Sequence, residues 1–76
     1  MARTRQERMI ETLRSRIQGH ASTMLAGRLE AHITTAGDDD QALRLAIDKI
    51  RVSLRLFVDE DLAERVAAEL TRLARI

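Results

Sequence analysis

Apolar residues recur at helical spacing through the first part of the chain. They are separated by three, four, three and four positions when His20 is counted in the series: Ile10, Leu13, Ile17, His20 and Met24. This spacing predicts an amphipathic helix. Further on, Leu25, Leu29 and Ile33 are each four residues apart. Because each residue turns a helix by about 100°, repeated steps of four carry the apolar stripe around it. The buried face is therefore expected to turn partway along the segment.

Two structures can produce this turn. One is a single long helix, about 3–36, whose two halves contact different neighbours. The other is a break at Gly19, with Ser22 capping a second helix. Because a glycine inside a helix costs only about 1 kcal/mol, the continuous helix is the prediction and the break is its alternative.

A clear boundary follows the first helical segment. Gly37 suits the left-handed position that ends many helices. The acidic triplet after it, residues 38–40, suits an N-cap and a first turn, where the helix dipole favours negative charge. The triplet lacks the spaced oxygen ligands of a calcium loop. This segment predicts a tight turn between two helices.

The return segment, about 39–76, is also predicted to be helical, with a possible joint near 58–60 where Asp59 caps a final helix. Its main apolar face is spaced four, three, four and three: Leu43, Ile47, Ile50, Leu54 and Phe57. A second apolar face lies nearly opposite: Leu45, Val52 and Leu56. A helix that is apolar on two faces is usually buried on both.

The lengths of the two segments favour an antiparallel helical hairpin. A helix over 3–36 would be about 50 Å long, whereas a compact globule of this size has a radius of gyration near 11 Å and a diameter of roughly 30 Å. Two hairpins packed together account for both the length and the doubly apolar helix. We therefore expect an all-α protein, one small helical domain over residues 1–76, that dimerises into a helical bundle.

A competing interpretation concerns residues 50–56. Apolar and polar residues alternate there with period two, which is typical of a strand, and an Asp-capped helix follows. The run resembles the strand and first helix of ribbon-helix-helix DNA-binding proteins over residues 50–76. The resemblance implies that Arg51, Ser53 and Arg55 enter the major groove. The chain ends before the second helix of that family, and Asp48 is spaced for helical ion pairs with Arg51. Helix is therefore the prediction.

Composition narrows the chemistry. The chain is 45% hydrophobic and 33% charged, with a net charge of +1, no Cys and one aromatic residue, Phe57. Without cysteine the chain has neither disulfides nor thiol nucleophiles. The small net charge gives no indication of a polyanionic partner. The glycines form no phosphate-binding loop, and the histidines are 12 residues apart. We expect neither an enzyme nor a cofactor, metal, membrane segment or small-molecule substrate, and we expect a cytoplasmic location.

The remaining prediction is a protein-interaction module, an adaptor, small chaperone or regulatory partner, that acts through apolar helix faces. Its contacts with a protein partner or a second copy are predicted at nine positions: Ile10, Leu13, Ile17, Met24, Leu43, Ile47, Ile50, Leu54 and Phe57. The alternative is a small DNA-binding regulator. It would use the segment 50–76 or an arginine-rich end, formed by Arg3, Arg5 and Arg8 with the C-terminal arginines, while residues 38–40 make the opposite end acidic.

Overall fold

The part of the chain that the structure describes folds into four helices. A computed structural model describes residues 3–76, which form no strand and contain four α-helices: α1 (Arg5–Ile17), α2 (Thr23–Ala36), α3 (Asp40–Phe57) and α4 (Glu60–Ala74). Each helix packs against the next one in the chain, and α4 packs back against α1. The all-α prediction is confirmed, and the arrangement is a four-helix bundle built by one chain.

The predicted continuous helix over 3–36 is wrong, and the predicted alternative is what forms. Helix α1 ends at Ile17, whose carbonyl accepts two loop N–H groups at 2.9 and 3.1 Å. Gly19 follows with a φ of +82°, in the left-handed region that favours glycine. The Ser22 hydroxyl then accepts the Leu25 N–H at 3.1 Å and caps α2. The hairpin is therefore replaced by a bundle of shorter helices.

The other boundaries agree with the sequence. Gly37 ends α2 with φ 69° and ψ −145°, a conformation that is essentially restricted to glycine. The Asp39 carboxylate accepts the Ala42 N–H at 2.8 Å and caps α3. The Asp59 carboxylate does the same for α4 by accepting the Leu62 N–H at 2.9 Å. The predicted tight turn and the predicted joint before α4 are both confirmed.

One apolar cluster fills the interior and draws on all four helices. Its largest fully buried side chains are Met9, Leu13, Ile17, Leu29, Ile33, Leu43, Ile50, Leu54, Val66 and Leu70. The radius of gyration is 11.2 Å, close to the value expected for a compact chain of this length. Because the break between α1 and α2 lets the chain fold back on itself, a single copy encloses this core.

Candidate protein-interaction surface

Large apolar side chains remain on the surface of α2 and α3. The exposed fractions are 73% for Met24, 59% for Leu45, 37% for Val52, 71% for Leu56 and 73% for Phe57. Single exposed apolar residues are ordinary, but a cluster of them marks an interaction surface. The question is therefore how these side chains are grouped.

Some of them line a groove between α2 and α3. The groove consists of two adjoining depressions of about 600 and 300 Å³, and Leu25, Arg28 and Phe57 line both. Leu45 borders the larger depression and Met24 the smaller one. We call this feature the α2–α3 groove.

Small side chains shape the α3 side of the groove. Ala42, Ala46 and Ser53 line it from α3, and Ala31 lines it from α2. Short side chains leave room for another backbone to come close. The α3 wall of the groove therefore has large apolar groups near its two ends and mainly short side chains between them.

The outer side of α3 carries a second apolar feature. At about 100° per residue, Leu45, Val52 and Leu56 fall within a narrow sector of the helix, opposite the side where Leu43 and Leu54 enter the core. We call these three residues the outer stripe. The sequence predicted this second face, and its three side chains are exposed, Leu56 the most and Val52 the least.

The groove has a cationic rim. Arg28 from α2 and Lys49 from α3 line the larger depression together with His32. None of the described residues that line either depression is acidic. Among the ion pairs formed within residues 3–76, none includes Arg28 or Lys49. Two positive charges thus flank an apolar groove, and neither has a counterion among the residues that the structure describes.

The other neighbouring helix pairs are joined by charged side chains. Arg14 donates two hydrogen bonds to Glu30 between α1 and α2, at 2.9 and 2.7 Å. This bonding holds the pKa of Glu30 below its usual range, against a smaller opposing effect of burial. Arg51 of α3 lies 3.7 Å from Glu64 of α4. Within the part of the chain that the structure describes, no hydrogen bond or ion pair between side chains joins α2 to α3.

Most of the predicted protein-binding residues lie in the core instead. Buried within the bundle are Leu13, Ile17, Leu43, Ile47, Ile50 and Leu54, and Ile10 is half-buried. Of the nine residues, Met24 and Phe57 are exposed, and their role as contacts stays a prediction. The buried residues correct the prediction that this apolar face contacts a partner. Because the helix breaks after α1, one chain folds back and buries that face itself.

Several residues of the groove and the outer stripe were not among the predicted contacts. The sequence shows two apolar faces on α3, and the predicted contacts lie on the larger one. The relative size of the faces was the available signal, since the larger face of a helix is the one that a core needs. Arg28 and Lys49 gave no signal, because their position beside the groove follows only from the packing of α2 on α3.

The strand predicted as an alternative at 50–56 is wrong, because the whole segment lies inside α3. In a helix, residues two apart point about 200° away from each other, so Arg51 and Ser53 do not share a face. Arg51 donates a hydrogen bond to Asp48 at 3.1 Å, as the spacing predicted. Ser53 lines the α2–α3 groove, and Arg55 is exposed.

The predicted separation of charge between two ends of the molecule is also wrong. Because the chain reverses direction three times, the start of α1, the α2–α3 turn and the end of α4 lie together. Arg5 donates to the Asp38 carboxylate at 2.6 Å and to the Ala74 carbonyl at 2.8 Å, and it also pairs with Asp40. Arg3 pairs with Glu11, and Arg8 is exposed. Carboxylates therefore neutralise part of the predicted basic end.

Residues 3–76 contain neither a membrane-crossing helix nor a metal-binding cluster. None of these helices combines the length and apolarity that a bilayer-crossing segment requires. In the same residues, His, Asp and Glu side chains form no group of three suited to a metal ion. No family model matches the chain, and no curated protein or solved structure matches it either.

Proposed function

We propose that this chain is a non-enzymatic helical protein-interaction module, an adaptor, small chaperone or regulatory partner, that binds through the α2–α3 groove and the outer stripe. The observation that carries the proposal is the grouping of exposed Met24, Leu45, Leu56 and Phe57 on two adjacent helices. Their burial by a partner removes apolar surface from water at roughly 25 cal/mol per Å², before the costs of association.

Rigid support strengthens this proposal. The inner faces of α2 and α3 hold Leu29, Ile33, Leu43 and Leu54 in the core, so the outer faces are carried by well-packed helices. A preformed surface loses little conformational entropy when it binds. We expect Phe57 to contribute most to the binding, because its exposed aromatic ring offers a large apolar surface for a partner to cover.

A homodimer remains part of the proposal, although two sequence arguments for it no longer apply. The first helix is not continuous, and one chain encloses the core. The remaining support is the outer stripe, which a second copy can cover by pairing α3 with α3. Sedimentation of the wild-type chain between 5 and 500 µM measures this association directly. Dissociation constants in that range correspond to association free energies of about −7 to −4.5 kcal/mol.

DNA binding has less support than protein binding. The strand that would read the major groove is a helix, and carboxylates pair with Arg3, Arg5 and Arg51. Arg8 and Arg55 are exposed and belong to none of the ion pairs within residues 3–76, so they suit phosphate contacts. Binding to duplex DNA that persists at about 200 mM salt would contradict the protein-binding proposal, since nonspecific attraction fades there.

Site-specific crosslinking in the native cell tests the proposed function. A photoreactive amino acid replaces Phe57 in one variant and the exposed Ala68 of α4 in a control. We expect a defined protein adduct from position 57 and none from position 68. Equal labelling at both positions, or no adduct at position 57, contradicts the proposal.

Variants of the same surface provide the second part of this test. Phe57→Asp and Leu56→Asp are expected to keep the helical circular dichroism of the wild type and to lose the partner. Leu54→Asp is the control that unfolds, because it places a carboxylate in the core. Retention of the partner by a folded Phe57→Asp, Leu56→Asp double variant would contradict the proposed surface.

A further inference from the structure

We infer that the α2–α3 groove takes one amphipathic helix of a partner protein, with acidic residues along the edges of that helix. This inference rests on the proposed function and specifies its partner. It follows from three observations: the shape of the groove, the chemistry of its lining, and the two cations that have no counterion within the bundle.

The shape of the groove fits a helix. Its lining extends along α3 from Ala42 to Phe57, which at 1.5 Å per residue corresponds to roughly 22 Å, or about four helical turns. Alanines and a serine on its walls allow a second backbone to approach. Leu45 and Phe57 are about 18 Å apart along α3, at 1.5 Å per residue. A partner helix with apolar residues every three or four positions over about three turns can therefore reach from one to the other.

The charges specify the edges of the partner. Arg28 and Lys49 stand on opposite sides of the apolar lining, one on α2 and one on α3. A partner helix that lies between them with apolar residues inward presents its flanking positions to both cations. Carboxylates at those positions would supply the counterions that residues 3–76 do not, whereas lysines there would be repelled.

A second copy of this chain fits the groove less well. In a twofold dimer the same patch meets itself, so the copies of Arg28 and Lys49 would gather around one contact. The described lining contains no acidic side chain to offset that repulsion. The main apolar face of each helix of this chain is also committed to the core. The charges therefore favour a different protein.

A pair of designed helical peptides tests the inference on the full chain. Both have 18 residues and the same leucine face, but one carries glutamates and the other lysines at the flanking positions. Labelled peptide binding is followed by fluorescence anisotropy at low salt. We expect the wild type to bind the glutamate peptide at least tenfold more tightly than the lysine peptide, which corresponds to about 1.4 kcal/mol.

Charge reversal locates the binding. The Arg28→Glu, Lys49→Glu variant should reverse the preference between the two peptides. The matched control is Arg44→Glu, Arg55→Glu, which changes the net charge equally at exposed positions of α3 that do not line the groove. The control should keep the wild-type preference, and both variants should keep the wild-type circular dichroism.

Several outcomes would overturn the inference. They are equal binding of both peptides, binding of neither, the same loss in the control as in the groove variant, or binding to phosphatidylglycerol vesicles that requires the same two cations. Equal binding that Phe57→Asp abolishes would overturn the acidic partner and still support a protein-binding groove. Failure of the proposed function has a different signature, namely the loss of the crosslink at position 57.

Discussion

The guanidinium of Arg16 on α1 donates two hydrogen bonds to the carboxylate of Glu69 on α4, at 2.8 and 3.1 Å. The two residues are 53 positions apart in sequence, so the pair joins the first helix to the last. The bonding holds the pKa of Glu69 below its usual range, with burial opposing it more weakly. An equivalent pair, Arg14 with Glu30, joins α1 to α2. Helix α1 is therefore fixed on both sides by carboxylates that bind arginine.

These two carboxylates predict a loss of stability in acid. Because the folded pKa of Glu30 and Glu69 lies below the unfolded value of about 4.3, their contribution is present above that value. It is lost as the pH falls through the folded pKa. Both pairs are partly solvated, so we expect a few tenths to about 1 kcal/mol for each.

Urea unfolding between pH 7 and pH 3 measures this effect. Glu69→Gln should be less stable than the wild type at pH 7, and the difference should disappear in acid. Glu7→Gln is the control, since Glu7 is exposed and none of the ion pairs within residues 3–76 includes it. If Glu69→Gln lowers the free energy of unfolding equally at pH 7 and pH 3, the stabilising role of the ionised Glu69 carboxylate is contradicted.

We expect alanine substitutions at two glycines to change the stability of the chain in opposite directions. Gly27 lies inside α2 with open space around its Cα, so Gly27→Ala should stabilise the chain by about 0.5–1 kcal/mol. Gly37 has a positive φ and an extended ψ, so Gly37→Ala should destabilise it by roughly 1–3 kcal/mol. Thermal unfolding of the two variants checks this. A Gly37→Ala variant as stable as the wild type would exclude the conformation described for the α2–α3 turn.

We expect the same substitution, leucine to alanine, to lower the free energy of unfolding by different amounts at residues 54 and 56 of α3. Leu54 is fully buried and Leu56 is 71% exposed. Leu54→Ala should cost about 2–5 kcal/mol, because it leaves a cavity, whereas Leu56→Ala should stay within about 0.5 kcal/mol. Urea unfolding of both variants at one pH gives the comparison. Similar losses at the two positions would mean that the outer stripe is covered in solution by another surface.

The sequence predicted the helices of the second half well because their signals are strong and local. Gly37, Asp39 and Asp59 each occupy the boundary that their chemistry favours. The break after α1 was harder to predict, because the signals at Gly19 and Ser22 are each worth only about 1 kcal/mol. Core burial decides between a broken and a continuous helix, and that energy depends on contacts between distant segments.

The candidate surface was predicted only in part for the same reason. Periodicity separates the faces of a helix but does not say which neighbour covers each one. Phe57 continues the core spacing of α3, yet it stands at the end of the helix, beyond the reach of the core. The groove itself is a property of two packed helices. No local pattern reports that Arg28 and Lys49 lie on its two sides.

The short loop between α1 and α2 predicts a route to a domain-swapped dimer. Gly19→Ala favours helix over the left-handed turn, and Ser22→Ala removes the cap of α2. Together they should favour a continuous helix by about 2 kcal/mol per chain, or roughly 30-fold in the equilibrium constant. Such a helix separates α1 from the rest of its own bundle, so α1 can complete the bundle of a second copy.

Sedimentation and concentration-dependent thermal unfolding distinguish this dimer from one formed by the outer stripe. The Gly19→Ala, Ser22→Ala variant should show a larger dimer fraction than the wild type at equal concentration. Adding Leu45→Asp should leave that fraction unchanged, because Leu45 faces away from the exchanged core. A double variant with the wild-type dimer fraction would mean that core packing around Ile17 and Leu29, rather than the loop, holds α1 and α2 apart.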